Sequence, residues 1–416
     1  MNRTMEGTNW VALKKSNYIQ NGSVYQRCYI YIQHIFFKII GLSPWAIDTG
    51  ITSKNRKNKN RNYEFNISYI GSSYNILLSL GIIIFGFYRI FDKSLAQASD
   101  KSSLISVILK MIFIAILCAS LLPLIYIIRQ KKLISVNSQF KNIDRVLNKC
   151  ANYEIQNNHV NDFIFIVNLL ITYCLIIMSF FYYPASIVFF LNIPTVISSG
   201  VIIQYAMILN RVDKRFKSIN STISRLVKFK SKATQPQMLF VTYKVLSRES
   251  FFNDIENLKY AYMELWEMCQ DIGDFYGVPI LIAMFCFAVL TIIHVYIIIL
   301  SLFNAIAIHI NWPVDTTRFL WIIFLFIVLT TSITKIMKQN KKLGRTINLL
   351  TDQNSMDERI KTKLSKFSSD LRNLKIQLTA CDIIPLDCRL LAIITGTIAT
   401  YLIISIQFAL NVPPDS

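Results

Sequence analysis

The sequence predicts an all-α, polytopic membrane protein with seven transmembrane helices and long cytoplasmic helical extensions. Of its 416 residues, 53% are hydrophobic and only 16% are charged, which is too apolar for a soluble fold of this length. The apolar residues collect in uncharged runs close to the roughly 20 residues that cross a bilayer as a helix. The basic residues, which give a net charge of +20, lie mostly on one side of these runs.

Seven apolar runs are long enough to be transmembrane helices, and only Pro184 separates the third from the fourth. The predicted spans are 68–88, 104–128, 163–183, 185–209, 275–303, 319–333 and 390–410. They divide the chain into an N-terminal segment (1–67), spans one to four (68–210), a helical extension (211–274), spans five and six (275–336), a second helical segment (337–389), and span seven with a tail (390–416).

The distribution of Lys and Arg predicts the orientation of the chain. Outside the spans, all of them except Arg89, Lys93, Lys101 and Arg318 lie on the side of the N-terminus. Because basic loops stay in the cytoplasm, we expect a cytoplasmic N-terminus and an extracellular C-terminus. The same rule explains the positive net charge without nucleic acid as a partner. Membrane lipids are the expected partner of these basic segments.

Two cytoplasmic connections carry apolar seams at alternating spacings of four and three, and such seams need helical partners. Packing within the chain and packing between subunits both stay open. Before span one, residues 29–45 are apolar and aromatic, which favours an interfacial helix over a re-entrant segment. The seams run through Phe251, Ile255, Leu258, Tyr262, Leu265, Cys269 and Ile272, and through Ile360, Leu364, Phe367, Leu371, Leu374, Leu378 and Cys381.

An enzyme is disfavoured, because the spans contain almost no ionisable groups and no phosphate-binding loop, HExxH or GxSxG motif occurs. We therefore expect no catalytic residue, no cofactor and no metal site. Span seven instead has a polar, uncharged face, which in lipid must turn toward protein or water. Interhelical hydrogen bonds and an aqueous path on the axis of an oligomer are both possible. The face is formed by Thr397, Thr400, Ile404, Gln407 and Asn411.

The end of span seven, residues 400–408, has the sequence TYLIISIQF, in which Thr-Tyr and Gln-Phe flank five mostly apolar residues. This pattern resembles the C-terminal signature of insect gustatory receptors. The segment FFKIIGLSPW at 36–45 is also similar to the family's N-terminal segment, and the seven spans and their orientation agree with it.

The resemblance implies a gustatory receptor of the plasma membrane: a ligand-gated, non-selective channel for monovalent and divalent cations that assembles as a homotetramer. The last helix of each subunit would line one central pore, with Gln407 and Phe408 at or near the gate. Thr397 and Ile404 would share the pore-facing side, while Thr400 and Tyr401 brace the helix against its neighbours.

A ligand arriving from outside needs a pocket in the outer halves of the spans, where aromatic side chains with a few polar tips are concentrated. Interfacial aromatic belts have the same composition, so either origin remains open for each aromatic residue. Lys110 could reach the membrane surface, line the pocket, or pair with Asp100 or Asp315. The candidates are Lys110, Tyr173, Phe180, Tyr183, Phe189, Asn192, His294, Tyr296, Phe319 and Trp321, of which Asn192 and His294 are favoured as polar groups inside spans.

Branches of the resembled family differ within the signature. Its sugar receptors usually have Glu where this chain has Leu402, and its carbon dioxide receptors have His where this chain has Tyr401. A small-molecule tastant that is bitter or a plant secondary compound is therefore favoured, with a fructose-like receptor as the alternative. An odorant-receptor-like channel and a polytopic transporter also remain, whereas the orientation disfavours a G-protein-coupled receptor.

Overall fold

The protein is built almost entirely from long helices in the part of the chain that the computed structural model describes. The described residues are 28–48, 64–91, 102–150, 160–182, 185–232, 241–302, 312–352, 358–374, 376–381, 383–386 and 388–410. Their helices are α1 (28–39), α2 (Tyr69–Phe91), α3 (Ser102–Leu147), α4 (Val160–Tyr182), α5 (Ala185–Lys232), α6 (Val241–Leu302), α7 (Trp312–Thr351), α8 (Glu358–Asn373) and α9 (Cys388–Leu410).

The predicted seven-helix membrane architecture is confirmed, with each predicted span falling in its own helix. Helices α2 to α7 each contain a stretch long and apolar enough to cross a membrane. Helix α9 is 23 residues long, with Arg389 as its one charged residue, and corresponds to the predicted seventh span. Helices are expected here because hydrocarbon offers no partner for backbone N–H and C=O groups.

Four helices continue well past their spans at the same end of the bundle. Helices α3, α5, α6 and α7 have 40 to 62 residues, far more than a bilayer requires. We call this end, which carries most of the Lys and Arg, the basic end. The opposite end, where α4 finishes and α5 begins, is the hairpin end.

The first apolar seam packs within the chain. Leu258, Tyr262, Leu265 and Ile272 are fully buried, because the extension of α6 packs against those of α3, α5 and α7. Tyr262 also donates a hydrogen bond to Asn340 Oδ1 of α7 at 2.6 Å. The seam is buried in a single chain, which supports packing within the subunit over packing between subunits.

The second seam is helical over only part of its predicted length. Ile360, Leu364 and Phe367 are buried on α8, but the helix ends at Asn373. A short antiparallel pair follows, β3 (Thr379–Ala380) and β4 (Ile384–Pro385). The prediction of one helical seam through residue 381 was therefore wrong: α8 ends at Asn373, and the chain turns back between β3 and β4, where Cys381 has φ +55°.

The helix in the N-terminal segment is shorter than the interfacial helix predicted over residues 29–45. Helix α1 ends at residue 39, Gly41 adopts φ +79°, and Trp45 begins β1 (Trp45–Asp48), which pairs with β2 (Glu64–Ile67). Side chains of the spans bind this turn: Asn75 Nδ2 donates to Gly41 O at 2.6 Å and Gln204 Nε2 donates to Leu42 O at 3.2 Å. Residues 37–45 are therefore fixed to the bundle at the basic end.

Gly277 of α6 allows the segment before α9 to approach closely. A Cβ atom there would lie 3.0 Å from the backbone N and 3.5 Å from the Sγ of Cys381. Gly273, one turn earlier on the same helix, has no atom within 4 Å of its corresponding position. The contact at Gly277 thus joins α6 directly to the turn that leads into α9.

Gly277→Val should displace the 376–386 turn and destabilise the protein by about 2 kcal/mol, as overpacking of a close contact does. Thermal unfolding of the purified chain measures this loss, and faster thiol labelling of Cys381 reports the displacement. Gly273→Val, which adds the same side chain to the same helix, should cost less than about 0.5 kcal/mol. Equal effects of the two substitutions would contradict a specific contact.

Candidate functional site

A cluster of buried polar side chains lies among α4, α5, α6 and α7 near the hairpin end. Arg318 and Asp315 of α7 are 1% and 2% exposed, and His294 of α6 is 2% exposed. Asn192 of α5 and Ser179 of α4 are buried beside them. Ionisable groups inside spans are costly, so they mark functional sites by default.

Hydrogen bonds connect all four helices through this cluster. Arg318 Nη2 donates to Ser179 Oγ at 2.5 Å and to Asn192 Oδ1 at 3.1 Å. His294 Nδ1 and Asp315 Oδ1 are 2.9 Å apart, so the ring nitrogen donates to the carboxylate. The guanidinium therefore links α7 to α4 and α5, while the His–Asp pair links α7 to α6.

The start of α7 places these groups together because of its local sequence. Asp315 lies in the first turn, where the exposed N–H groups of a helix favour negative charge. Arg318 follows three residues later and Trp321 three after that, which puts all three on the same helical face. That face is turned inward, as the burial of the three side chains shows.

The cluster continues one turn deeper between α4 and α7. Trp321 Nε1 donates to Asn168 Oδ1 at 3.2 Å, and Thr172 lies one turn beyond Asn168 on α4. Among the described residues, Asn168 Nδ2 and Thr172 Oγ1 have no hydrogen-bond partner although both are buried. Buried polar atoms of this kind are costly, which is why they point to a bound water or ligand.

This arrangement suits recognition of a small polar organic molecule. It offers one guanidinium, one carboxylate with its imidazole partner, and amide and hydroxyl groups within a few ångströms. In a buried site these charges interact strongly with hydroxyl or carbonyl groups. These charged, amide and hydroxyl groups therefore support binding of such a molecule.

The structure brings only some of the predicted ligand residues together. Asn192, His294 and Trp321 belong to the buried cluster, and Phe319 is half-buried beside it on α7. Helices α3 and α6 carry Lys110 and Tyr296, whose side chains lie outside the described residues, as does Tyr183.

The exposed aromatic candidates lie on the surface of the single chain. Tyr173 is 61% exposed, and Phe180 and Phe189, whose ring centroids are 6.0 Å apart, are about half exposed. They are outside the buried cluster, and their role in a ligand pocket stays a prediction.

Sequence reasoning did not find Arg318 and Ser179 as site residues, and it named Asp315 only as a possible partner of Lys110. The predicted spans place Arg318 and Asp315 in the loop before span six. The structure begins α7 at Trp312, so both lie inside the helix. The available signal was their spacing of three residues, together with His294 near the end of the preceding span.

Helix α9 is exposed along most of its described length, and its polar face is part of that exposed surface. Leu390 is buried and Ile394 packs on the core, which anchors the start of the helix against α6 and α7. Further along, Thr397, Thr400, Ile404 and Gln407 are all exposed. The side chains of Tyr401 and Phe408 lie outside the described residues.

The two threonines of that face are satisfied by their own helix. Thr397 Oγ1 donates to Ile393 O at 2.9 Å, and Thr400 Oγ1 donates to Gly396 O at 3.0 Å. Each hydroxyl oxygen therefore still has lone pairs that can accept a hydrogen bond from outside the helix. Such a face can meet water or ions without requiring a hydrogen bond from another helix.

Comparisons with known proteins agree with this architecture. A 77-residue stretch, 18% of this chain and 16% of the relative, is 38% identical to a Drosophila melanogaster protein provisionally named gustatory receptor 28b. The matched stretch is thus a small part of that relative. The fold is similar to the insect olfactory receptor OR5 of Machilis hrabei, with a TM-score of 0.59 at 13% identity over 92% of this chain and 99% of that one.

The same receptor solved in complex with eugenol gives a TM-score of 0.58, again at 13% identity and with the same coverage of both chains. Similarity at this identity concerns the fold. The model of the 7tm chemosensory receptor family matches residues 30–412, which is nearly the whole chain. With its seven membrane helices, its helical extensions and this match, the chain belongs to the 7tm chemosensory receptor family.

Proposed function

We propose that this protein is a gustatory receptor: a non-selective cation channel opened by a small molecule that binds from outside the cell. The observation that carries the proposal is the exposed polar face of α9, formed by Thr397, Thr400 and Gln407. A helix that faces lipid would turn these polar side chains toward neighbouring helices. A helix on the axis of an oligomer can instead expose them to water in a pore. Family membership supports a chemosensory role.

The channel is a homotetramer in which four copies of α9 surround one pore. Gln407 and Phe408 form the gate, since a ring of Phe side chains closes a narrow throat by excluding water and Gln amides readmit it. The exposed Ile403 and Ile404 of α9 would be covered by this assembly. Monovalent and divalent cations are the permeant ions.

The receptor lies in the plasma membrane with its basic end in the cytoplasm. The excess of Lys and Arg at that end supports this orientation, because positively charged segments are retained on the cytoplasmic side. The hairpin end and its buried polar cluster then face the outside, within reach of an external ligand. The C-terminus is extracellular.

The ligand binds at the cluster of Arg318, Asp315 and His294, with Asn192 and Trp321 as further contacts. An aromatic or heterocyclic molecule with hydroxyl or carbonyl groups fits this chemistry, because charged and amide groups in a buried site form strong hydrogen bonds with such groups and the surroundings are apolar. Bitter plant secondary compounds have such structures. Leu402, where sugar-type receptors usually carry Glu, supports this class over sugars.

The test is to express the full chain alone and record membrane currents while perfusing plant alkaloids, eugenol, fructose and trehalose. We expect a cation current with at least one plant compound and none with the sugars. A response to fructose would select the sugar-type alternative. A chain that reaches the cell surface and gives no current with any compound would contradict the proposal.

An odorant-receptor-like channel is the second candidate, favoured by the structural similarity to OR5 across 92% of this chain. The same recordings distinguish this candidate from a gustatory receptor. An odorant-receptor-like channel would give a current only when a second receptor subunit is supplied. A transporter would instead move labelled solute without a conductive pore.

A further inference from the structure

A second site lies at the basic end, far from the buried polar cluster. It is a half-open cavity of about 110 Å³ formed by α1 with the turn that follows it, by α3 and by α5. Its floor is buried and mostly apolar, with Phe37, Trp45, Val136, Phe140 and Met207.

The rim of this cavity is polar and half-buried. Gln33 and His34 approach it from α1, Asn137 from α3 and Arg211 from α5. A cavity with an apolar floor and a polar rim matches an amphiphile that enters with its chain inward and leaves its head at the mouth.

Arg211 supplies the positive charge of the rim. The neighbouring cations are paired: Arg215 bonds Asp144 through two hydrogen bonds of 2.9 and 2.7 Å, and Lys217 lies 2.7 Å from Asp213. Within the described residues, the guanidinium of Arg211 makes neither a hydrogen bond nor an ion pair. Burial and then Arg215 lower the pKa of Arg211, and Tyr29, Tyr276 and Asp162 oppose this only in part.

The other titratable group of the rim is neutral. Burial, and secondarily Lys38, lower the pKa of His34 to about 4, so its ring is uncharged at neutral pH. Its Nδ1 lies 2.9 Å from Ser43 Oγ, which fixes the ring in place. The rim therefore combines one cation with neutral amide and imidazole groups, an arrangement that attracts a single anionic group.

Helix α1 carries apolar side chains on its outer surface, beside the cavity. Tyr31, Ile32 and Ile39 are each more than half exposed. Such a helix lies at the membrane surface with its apolar side in lipid. The cavity of about 110 Å³ opens beside this helix. It takes the first carbons of a lipid with the head at its mouth, while the remaining chain can lie along α1.

We propose that this cavity binds an acidic lipid of the adjoining membrane leaflet, whose anionic head pairs with Arg211 and whose first methylene groups enter the apolar floor. The bound lipid fastens α1 to α3 and α5. This site is distinct from the tastant site and does not depend on its assignment.

The purified full chain in neutral detergent can be titrated with cis-parinaric acid, a fluorescent fatty acid that accepts energy from tryptophan. Saturable binding is expected, with Trp45 in the floor as the main donor. Arg211→Gln should weaken binding by about tenfold, the effect of losing one charge-assisted hydrogen bond. Lys214→Gln, which removes the same charge three residues along α5, should change affinity by less than about twofold.

Asn137→Phe provides an independent test, since it fills the mouth without removing charge and should abolish binding. Lysophosphatidic acid should displace the probe, whereas lysophosphatidylcholine and millimolar inorganic phosphate should not. Equal losses in the Arg211 and Lys214 variants, or full binding in Asn137→Phe, would overturn the site. Displacement by inorganic phosphate alone would assign it to a free anion instead of a lipid.

Discussion

Arg318→Gln should abolish the ligand-evoked current and lower the stability of the protein by about 3 kcal/mol. The guanidinium joins α7 to Ser179 and Asn192 inside the bundle, and its removal leaves the buried Asp315 carboxylate with less positive charge nearby. Surface expression and thermal unfolding in detergent measure the structural loss. Whole-cell recording measures the functional one.

Two further variants separate folding from ligand recognition at Arg318. Thr317→Ala changes the neighbouring exposed residue of α7 and should leave both readouts near those of the unmodified chain. The double variant Asp315→Asn with Arg318→Gln removes both charges together, with Asn keeping the shape of Asp and Gln keeping an amide donor in place of the guanidinium. It should regain most of the stability and remain unresponsive. If Arg318→Gln alone responded normally to ligand, the cluster would not be the binding site.

Phe408→Ala should produce a cation current in the absence of ligand. Removing the ring from each of four subunits widens the proposed throat and lets water enter a closed gate. Baseline current, corrected for surface expression and blocked by replacing permeant cations with a large organic cation, is the measurement.

Phe181→Ala is the matched control for this gate, because it removes an equally large ring from an exposed position on α4. It should leave the baseline silent. A Phe408→Ala channel that reaches the surface and passes no resting current would contradict the assignment of Phe408, while leaving the remaining pore-facing residues of α9 open to the same assay.

The apolar seam of α6 illustrates what periodicity alone predicts well. Residues such as Leu258, Tyr262 and Leu265 recur on one helical face, so their burial follows from local geometry. The predicted seam on α8 does not continue as a helix beyond Asn373, because the next segment forms β3 and β4 and packs closely against Gly277, about a hundred residues earlier. Contacts between distant segments leave no periodic signal.

The residues of the candidate site also divide into those that the sequence reveals and those that only the packing reveals. Asn192 and His294 were found because a polar residue inside an apolar run is conspicuous in the sequence. Arg318 was missed because a charge at the edge of a run normally marks its end. Only the packing of α4, α5 and α6 around the first turns of α7 shows that this charge is buried and bonded.

The sequence by itself determined the membrane class, the seven helices and the polar face of the last one. These follow from composition and from spacings within single helices, because lipid requires long apolar segments. The tertiary structure alone decided which polar groups meet, at the Arg318 cluster and at the cavity beside Arg211. Those sites are assembled from residues more than a hundred positions apart, so helix packing, and not local pattern, places them together.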